Sequence, residues 1–249
     1  MNKERAEVPS PTPARVWGDQ WLRVSEKVMQ GLNEQLASRI AALEVLAGGL
    51  GPGESPDPQL ARTLMQEVER FATLLRLYRR LPTEPNALPE SVRVQEIIPF
   101  VMELHTYHAD LRGVTCLLSE AAAPEPVGVQ PSALLRSLLV LLESAAGHTS
   151  RAGGGLPIVL TYKGTPTWVT IAIEAPSPNA DGLFAGSGSL IDAVRSALAH
   201  AGGIIYAGRD TRDGLPILTY RLTLPTLSEI RKRGVAPSGE GNQATSSLP

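Results

Sequence analysis

The first third of the chain carries a long one-sided stripe of apolar residues. They recur at steps of three and four over residues 21–46, which is the spacing of one face of an amphipathic helix. The glycines and prolines of GGLGPGESPDP (48–58) end the pattern, because proline cannot continue a helix. The stripe consists of Trp21, Val24, Val28, Leu32, Leu36, Ile40, Leu43 and Leu46. A chain with such a helix needs a partner surface along most of its length.

A second helical pattern runs from Gln59 to about Leu81. Together the two patterns predict a helical hairpin over residues 15–82. Two helices with one stripe each make a poor core, so we expect the hairpin to pair with a second copy as a four-helix bundle. The alternative is that the hairpin packs on the rest of its own chain. The second stripe consists of Leu60, Leu64, Val68, Phe71, Leu75 and Tyr78.

After a proline-rich linker at 83–90, the pattern changes to short strands mixed with helices over 91–227. LPIVLTYKG and TWVTIAIEAP read as an antiparallel strand pair, and QPSALLRSLLVLLESAAGHT reads as a strong amphipathic helix. PSPNADGLFAGSGS reads as a loop before the helix LIDAVRSALAHA. The fold class predicted for this region is α+β, a two-layer α/β sandwich. The polar ends, 1–14 and 228–249, are predicted to be a disordered arm and tail.

The bulk composition excludes several function classes. The chain has 249 residues and a formal net charge of -2, which does not point to nucleic acid or to an anionic membrane as a partner. It has no apolar run of membrane-spanning length, so we expect a soluble, cytoplasmic protein. Its single cysteine, Cys116, excludes an internal disulfide and a cysteine-based zinc site, and we interpret it as a core thiol.

Three segments, taken in order, resemble the motifs of bacterial sensor histidine kinases. GLNEQLASRIAALEVLA (31–47) is similar to the helix that carries the phosphorylated histidine. LLRSLLVLLESAAGHTS (134–150) is similar to the asparagine box, and GSGSLIDAVRSALAHAGGIIYAGRD (186–210) to the last glycine box with its helix. The resemblance implies a dimerisation and phosphotransfer hairpin followed by an ATP-binding domain of the gyrase, Hsp90 and kinase superfamily.

The hairpin motif lacks its reactive residue. Aligning LNEQL with the family pattern puts Glu34 at the phospho-histidine position, and a carboxylate has no imidazole nitrogen to attack a phosphate. Arg39 stands where the family has proline, so the helix is expected to continue without a kink. Two histidines elsewhere, His105 and His108, are either displaced phosphate acceptors or ordinary helix residues.

The nucleotide-binding motifs are eroded as well. Val140 and Ser144 stand at the two asparagines, and Ala175 stands at the aspartate that reads adenine. Gly186 and Gly188 survive in the last glycine box, but Ser189 and Leu190 replace the Leu-Gly that follows. A shifted alignment would instead offer Asp181 and Gly182. We predict that ATP and magnesium binding is lost, so no cofactor or metal is expected.

These letters predict a catalytically inactive homodimer, a pseudokinase, that docks a response regulator or a histidine kinase. One alternative is an ATP-independent histidine phosphotransferase; an anti-sigma-like kinase is disfavoured by the long hairpin. Glu34 lies about 200° around the helix from Leu32, at ~100° per residue, so it points away from the stripe. The predicted docking surface is Asn33, Glu34, Gln35, Ser38, Arg39 and Ala42.

Overall fold

A computed structural model of the chain describes residues 12–49, 57–81, 88–111, 113–120, 123–151, 156–177, 184–212 and 214–234. It begins with a helical hairpin, α1 (Pro13–Gly48) and α2 (Pro58–Arg80). Each helix has proline in its first turn, where the missing N–H costs nothing. The Asp57 carboxylate caps α2 by accepting a hydrogen bond from the Gln59 N–H at 3.3 Å. No helix in the described ranges is long and apolar enough to cross a membrane.

The second region is a sheet covered by helices, as predicted, which confirms the fold class. Its strands form a five-stranded sheet in the order β2-β4-β5-β7-β6 and a small antiparallel pair, β1 with β3. Within the large sheet β2 is parallel to β4, and the other neighbours are antiparallel. The elements are β1 (Glu90–Val92), α3 (Val94–Thr106), β2 (Cys116–Glu120), β3 (Val127–Val129), α4 (Pro131–Arg151), β4 (Ile158–Gly164), β5 (Trp168–Pro176), α5 (Phe184–Ala197), β6 (Ile204–Arg212), β7 (Leu215–Pro225) and α6 (Leu227–Gly234).

The strands separate a buried face from a more exposed one. In β4, Ile158, Leu160 and Tyr162 are buried, whereas the residues between them are only half-buried. This alternation follows from the two-residue period of a strand. Helix α4 contacts both β4 and β5, so the buried face is the one that the helices cover.

The first half of α1 packs on the sandwich of its own chain. Val24, Val28 and Leu32 are buried and belong to the same hydrophobic cluster as the residues of α4 and α5. The Ala109 N–H donates to the Lys27 carbonyl at 3.1 Å, and Lys27 Nζ lies 3.2 Å from an Asp110 carboxylate oxygen. For this half of α1, packing on its own chain is therefore the arrangement found.

The buried face of α2 differs from the predicted stripe. Leu74, Leu77 and Leu81 are buried, whereas Val68 and Tyr78 from the predicted stripe are exposed. The reason is that the apolar arc of α2 is about half the circumference wide at ~100° per residue, and the rest of the chain covers only one side of it. Large apolar side chains that stay exposed on the hairpin are Leu22, Ile40, Val45, Met65, Val68 and Tyr78.

Two helices start or exist where the sequence predicted otherwise. The predicted loop ends earlier than expected, because α5 already begins at Phe184. Residues 228–234, predicted as part of the disordered tail, belong to α6 (Leu227–Gly234), whose Leu227 N–H donates to the Pro126 carbonyl at 2.9 Å. Tertiary contacts such as this one override local propensity. The rest of the predicted tail, 235–249, and residues 1–11 of the predicted arm lie outside the described residues, as do Asp181 and Gly182.

Candidate functional site

Helix α1 lies over the face of α4 on which the asparagine box would present its first ligand. Arg136, Val140 and Glu143 follow at steps of four and three, so they share one face of α4. The Arg136 guanidinium stands 5.0 Å from the centre of the Trp21 ring, and Glu143 pairs with Arg23. Val140, between these two contacts, is 1% exposed. A buried apolar side chain therefore occupies the position that the resemblance assigns to the earlier of the two asparagines.

Glu143 is the centre of a small charged cluster between α1, α3 and α4. Arg23 donates to both carboxylate oxygens, at 2.7 and 3.3 Å. His108 Nε2 lies 3.6 Å from the nearer oxygen, too far for a hydrogen bond. Burial acts to raise the pKa of Glu143, but His108 and Arg23 outweigh it, so the pKa is lowered. The charge of Glu143 therefore binds α1 to α4.

The second asparagine position is also occupied by a structural contact. Ser144 Oγ lies 2.9 Å from the Tyr220 hydroxyl on β7, and Tyr220 is buried. Ala175, at the adenine-reading position on β5, is fully buried, whereas the neighbouring Glu174 pairs with Arg212. Ser144 and Ala175 therefore lack the asparagine amide and the aspartate carboxylate that the resemblance assigns to these two positions.

The surviving glycines do not form a loop. Gly186 and Gly188 lie in the first turns of α5, with helical backbone. Magnesium takes oxygen ligands, and the described residues include no group of three or more His, Cys, Asp or Glu side chains that could hold a metal. At two of the described motif positions, the buried Val140 and Ala175 have no side-chain oxygen for a magnesium ion or a nucleotide.

The two candidate acceptor histidines are both buried. His105 and His108 are 3% and 2% exposed. Burial, assisted by the neighbouring His108, lowers the pKa of His105 to about 4. Its Nδ1 lies 3.6 Å from the sulfur of Cys116, whose pKa burial raises to about 11. Both groups are neutral at physiological pH. Cys116 was expected in the core and is half-buried, at its edge.

The predicted docking residues separate onto two faces of α1. Asn33, Glu34 and Ser38 are exposed, and the Gln30 amide donates to the Glu34 carboxylate at 3.1 Å. The other three, Gln35, Arg39 and Ala42, are half-buried, and they follow at steps of four and three along one face. That second face is turned to α2, since Arg39 donates to Glu67 of α2 at 2.9 Å.

Sequence reasoning missed the polar residues on the inside of the hairpin. Glu67 is buried although it is charged, and it accepts hydrogen bonds from both Arg39 and Arg70, the second at 2.6 Å. Burial acts to raise its pKa, but the two arginines outweigh it and the pKa is lowered. The available signal was the pair of arginines, Arg39 replacing proline and Arg70 one turn from Glu67, because a buried carboxylate needs such partners.

Three solved structures similar to this chain are those of histidine kinases, at low sequence identity. Histidine kinase AdeS of Acinetobacter baumannii has a TM-score of 0.44 and 17% identity, covering 78% of this chain and 98% of its own. The catalytic domain of histidine kinase ThkA has a TM-score of 0.46 and 16% identity, covering 56% of this chain and 98% of its own. The cytoplasmic segment of histidine kinase QseC has a TM-score of 0.40 and 12% identity, covering 64% of this chain and 92% of its own.

No family model and no curated protein matches the chain. The sequence identities of 12–17% to the histidine kinase structures say nothing about activity in this chain.

Proposed function

We propose that this chain is a catalytically inactive, histidine-kinase-like dimer that serves as a docking protein in two-component signalling. Its partner is a response regulator or a histidine kinase. The observation that carries the proposal is the packing of α1 on α4. Val140 is buried there between the Arg136–Trp21 and Glu143–Arg23 contacts. A nucleotide phosphate at this place would have to displace a helix.

The loss of chemistry is supported at independent positions. Autophosphorylation needs a nucleophile, a magnesium ion and a positioned ATP. Glu34 supplies no imidazole nitrogen to accept the phosphate. Val140 supplies no ligand for magnesium or phosphate, and the Ser144 hydroxyl is bonded to Tyr220. Compensation elsewhere would have to replace all three together.

The phosphotransferase alternative needs an accessible histidine. His105 and His108 are buried, with at most 3% of their surface exposed, so a phosphorylated partner could not reach them without opening the structure. This burial favours a binding protein over a phosphate relay.

The docking surface that we propose is the solvent face of α1. Asn33, Glu34 and Ser38 are exposed there. Glu34 stands at the position that the resemblance assigns to phosphorylation, and Asn33 and Ser38 lie next to it on the helix. The half-buried Gln35, Arg39 and Ala42 support this face from the side of α2.

Nucleotide titration tests the inactive state. We expect no binding heat when ATP and magnesium are added to the full chain, up to a concentration of about 1 mM, because Val140 offers no ligand, the Ser144 hydroxyl is bonded to Tyr220, and Glu143 is paired with Arg23. A micromolar dissociation constant for ATP would contradict the inactive reading.

Incubation with a phosphorylated response regulator, taken from the same gene neighbourhood, tests the docking role. The expected result is a complex with no transfer of label, weakened about tenfold or more by Ser38→Arg, since tenfold corresponds to 1.4 kcal/mol. Ser25→Arg, on the part of α1 that faces away from Ser38, is the matched control. Label on His105 or His108 would exclude the proposal.

A further inference from the structure

The hairpin and α3 enclose a cavity that the proposed function does not use. Its volume is about 360 Å³, within the usual range for small-molecule sites. It lies where the second half of α1 and the middle of α2 meet the residue that ends α3, Tyr107.

Hydrogen-bond donors dominate the wall of this cavity. Gln35, Gln66 and Tyr107 line it, and none of the three side chains makes a hydrogen bond to another described residue. Arg39 and Arg70 line it as well. Carboxamides, guanidiniums and a phenol together offer a bound molecule many N–H and O–H groups.

The two guanidiniums are held in place from behind. Each uses one terminal nitrogen for a different oxygen of the buried Glu67, at 2.9 and 2.6 Å. An arginine presents five donors in a planar fork, so each keeps donors for a ligand. The positive charge of Arg39 also reaches Tyr107, where it opposes the effects of burial and of Glu103, although the pKa of Tyr107 is still raised.

The charge of the wall selects among anions. Besides the two arginines, the lining has one carboxylate, Glu69, and Glu67 behind the arginines is a second, so these four charged groups sum to zero. A multiply charged phosphate therefore finds no matching net charge, whereas a single carboxylate is recognised by the N–H groups that Glu67 leaves unused. Leu74 and the Tyr107 ring add an apolar portion that suits an uncharged ligand body.

We propose that this cavity binds a small molecule with one carboxylate group, held by Arg39, Arg70 and the Tyr107 hydroxyl, with its apolar body against Leu74. The site shares Gln35 and Arg39 with the docking surface, and it does not involve the positions of the nucleotide motifs. No motif in the sequence predicts this ligand site on the hairpin.

Amide NMR titration of the isotope-labelled full chain at low ionic strength tests the site, because salt screens exposed arginines. The probes are benzoate, its neutral isostere benzamide, and inorganic phosphate. Saturable shifts with benzoate are expected at the lining segments 35–39, 66–74 and Tyr107. Benzamide and phosphate are each expected to bind at least about tenfold more weakly, or 1.4 kcal/mol.

Variants separate recognition from folding. Tyr107→Phe keeps the ring and removes the hydroxyl, and Arg70→Gln removes a largely exposed charge; each should weaken benzoate several-fold without changing the spectrum elsewhere. Arg62→Gln removes a charge from the same helix, away from the cavity, and should leave binding unchanged. Equal binding of benzoate and benzamide, tighter binding of phosphate, no saturation, or unchanged binding in both cavity variants would each overturn the proposal.

Discussion

At the scale of single residues, His105 is the side chain whose ionisation the fold alters most clearly. Its pKa is lowered to about 4 by burial and by His108, whereas an unfolded histidine has a pKa near 6.5. Between these two values the unfolded chain binds a proton that the folded chain does not. Stability contributed by neutral His105 is therefore lost progressively as the pH falls from about 6.5 to about 4.

We predict that His105→Gln reduces the acid sensitivity of folding. On going from pH 7.5 to 5.0, the free energy of unfolding of the unmodified chain should fall more than that of the variant, by on the order of 2 kcal/mol. Urea unfolding at the two pH values measures this difference. The exposed His200→Gln is the control and should behave like the unmodified chain. An equal fall in His105→Gln would show that His105 takes up its proton without cost.

At the scale of elements, α1 serves both the hairpin and the sandwich. All of its buried positions lie between Val24 and Leu32, namely Val24, Val28, Gly31 and Leu32, where it contacts α4 and α5. Its second half faces α2. Removing contacts from the first half should therefore destabilise the sandwich as well as the hairpin.

A pair of leucines on α1 tests this arrangement. Leu32→Ala opens a cavity in the common core and should cost about 2–5 kcal/mol of unfolding free energy. Leu22→Ala is its match on the same helix, and its side chain is 57% exposed, so the cost should stay within about 0.5 kcal/mol. Equal effects of the two variants in urea unfolding would mean that α1 is not seated on the sandwich.

Sequence pattern predicted the elements better than it predicted their partners. The pair β4–β5 was expected from the alternation of apolar and polar residues, which is a local property. The early start of α5 and the existence of α6 depend on contacts with distant residues, such as Pro126 with Leu227. For the same reason the motif letters located Val140 and Ser144, whereas their actual partners, α1 and Tyr220, could not be read from spacing.

At the scale of the whole molecule, the hairpin keeps an uncovered apolar surface after α1 has packed on the sandwich. Met65 and Val68 of α2 are exposed, and so is Ile40 of α1. Ile40 follows Arg39, and Val68 follows Glu67, so the Arg39–Glu67 hydrogen bond places Ile40 and Val68 at the same height along the hairpin. Exposed apolar groups of this kind mark association sites in soluble proteins. We therefore retain the predicted dimer, with the outer side of α2 as its interface.

Light scattering coupled to size exclusion tests the dimer. The unmodified chain is expected at twice its monomer mass of 26.5 kDa, and Val68→Glu at the monomer mass, because a charge would be buried in the interface. Ile204→Glu places the same charge on an exposed apolar position of β6 and should leave the mass unchanged. A monomer for the unmodified chain, or a dimer for Val68→Glu, would contradict the assignment.

The seat of α1 on α5 also has a consequence for biosynthesis. Helix α1 ends at Gly48 and α5 begins at Phe184, so roughly 140 residues must be translated between them, which takes on the order of 10 s at about 5–20 residues per second. During that time the apolar face of α1 has α2 as its first neighbour, and α4 is added before α5. The growing chain therefore depends on α2, or on a chaperone at the ribosome, to keep this face from aggregating.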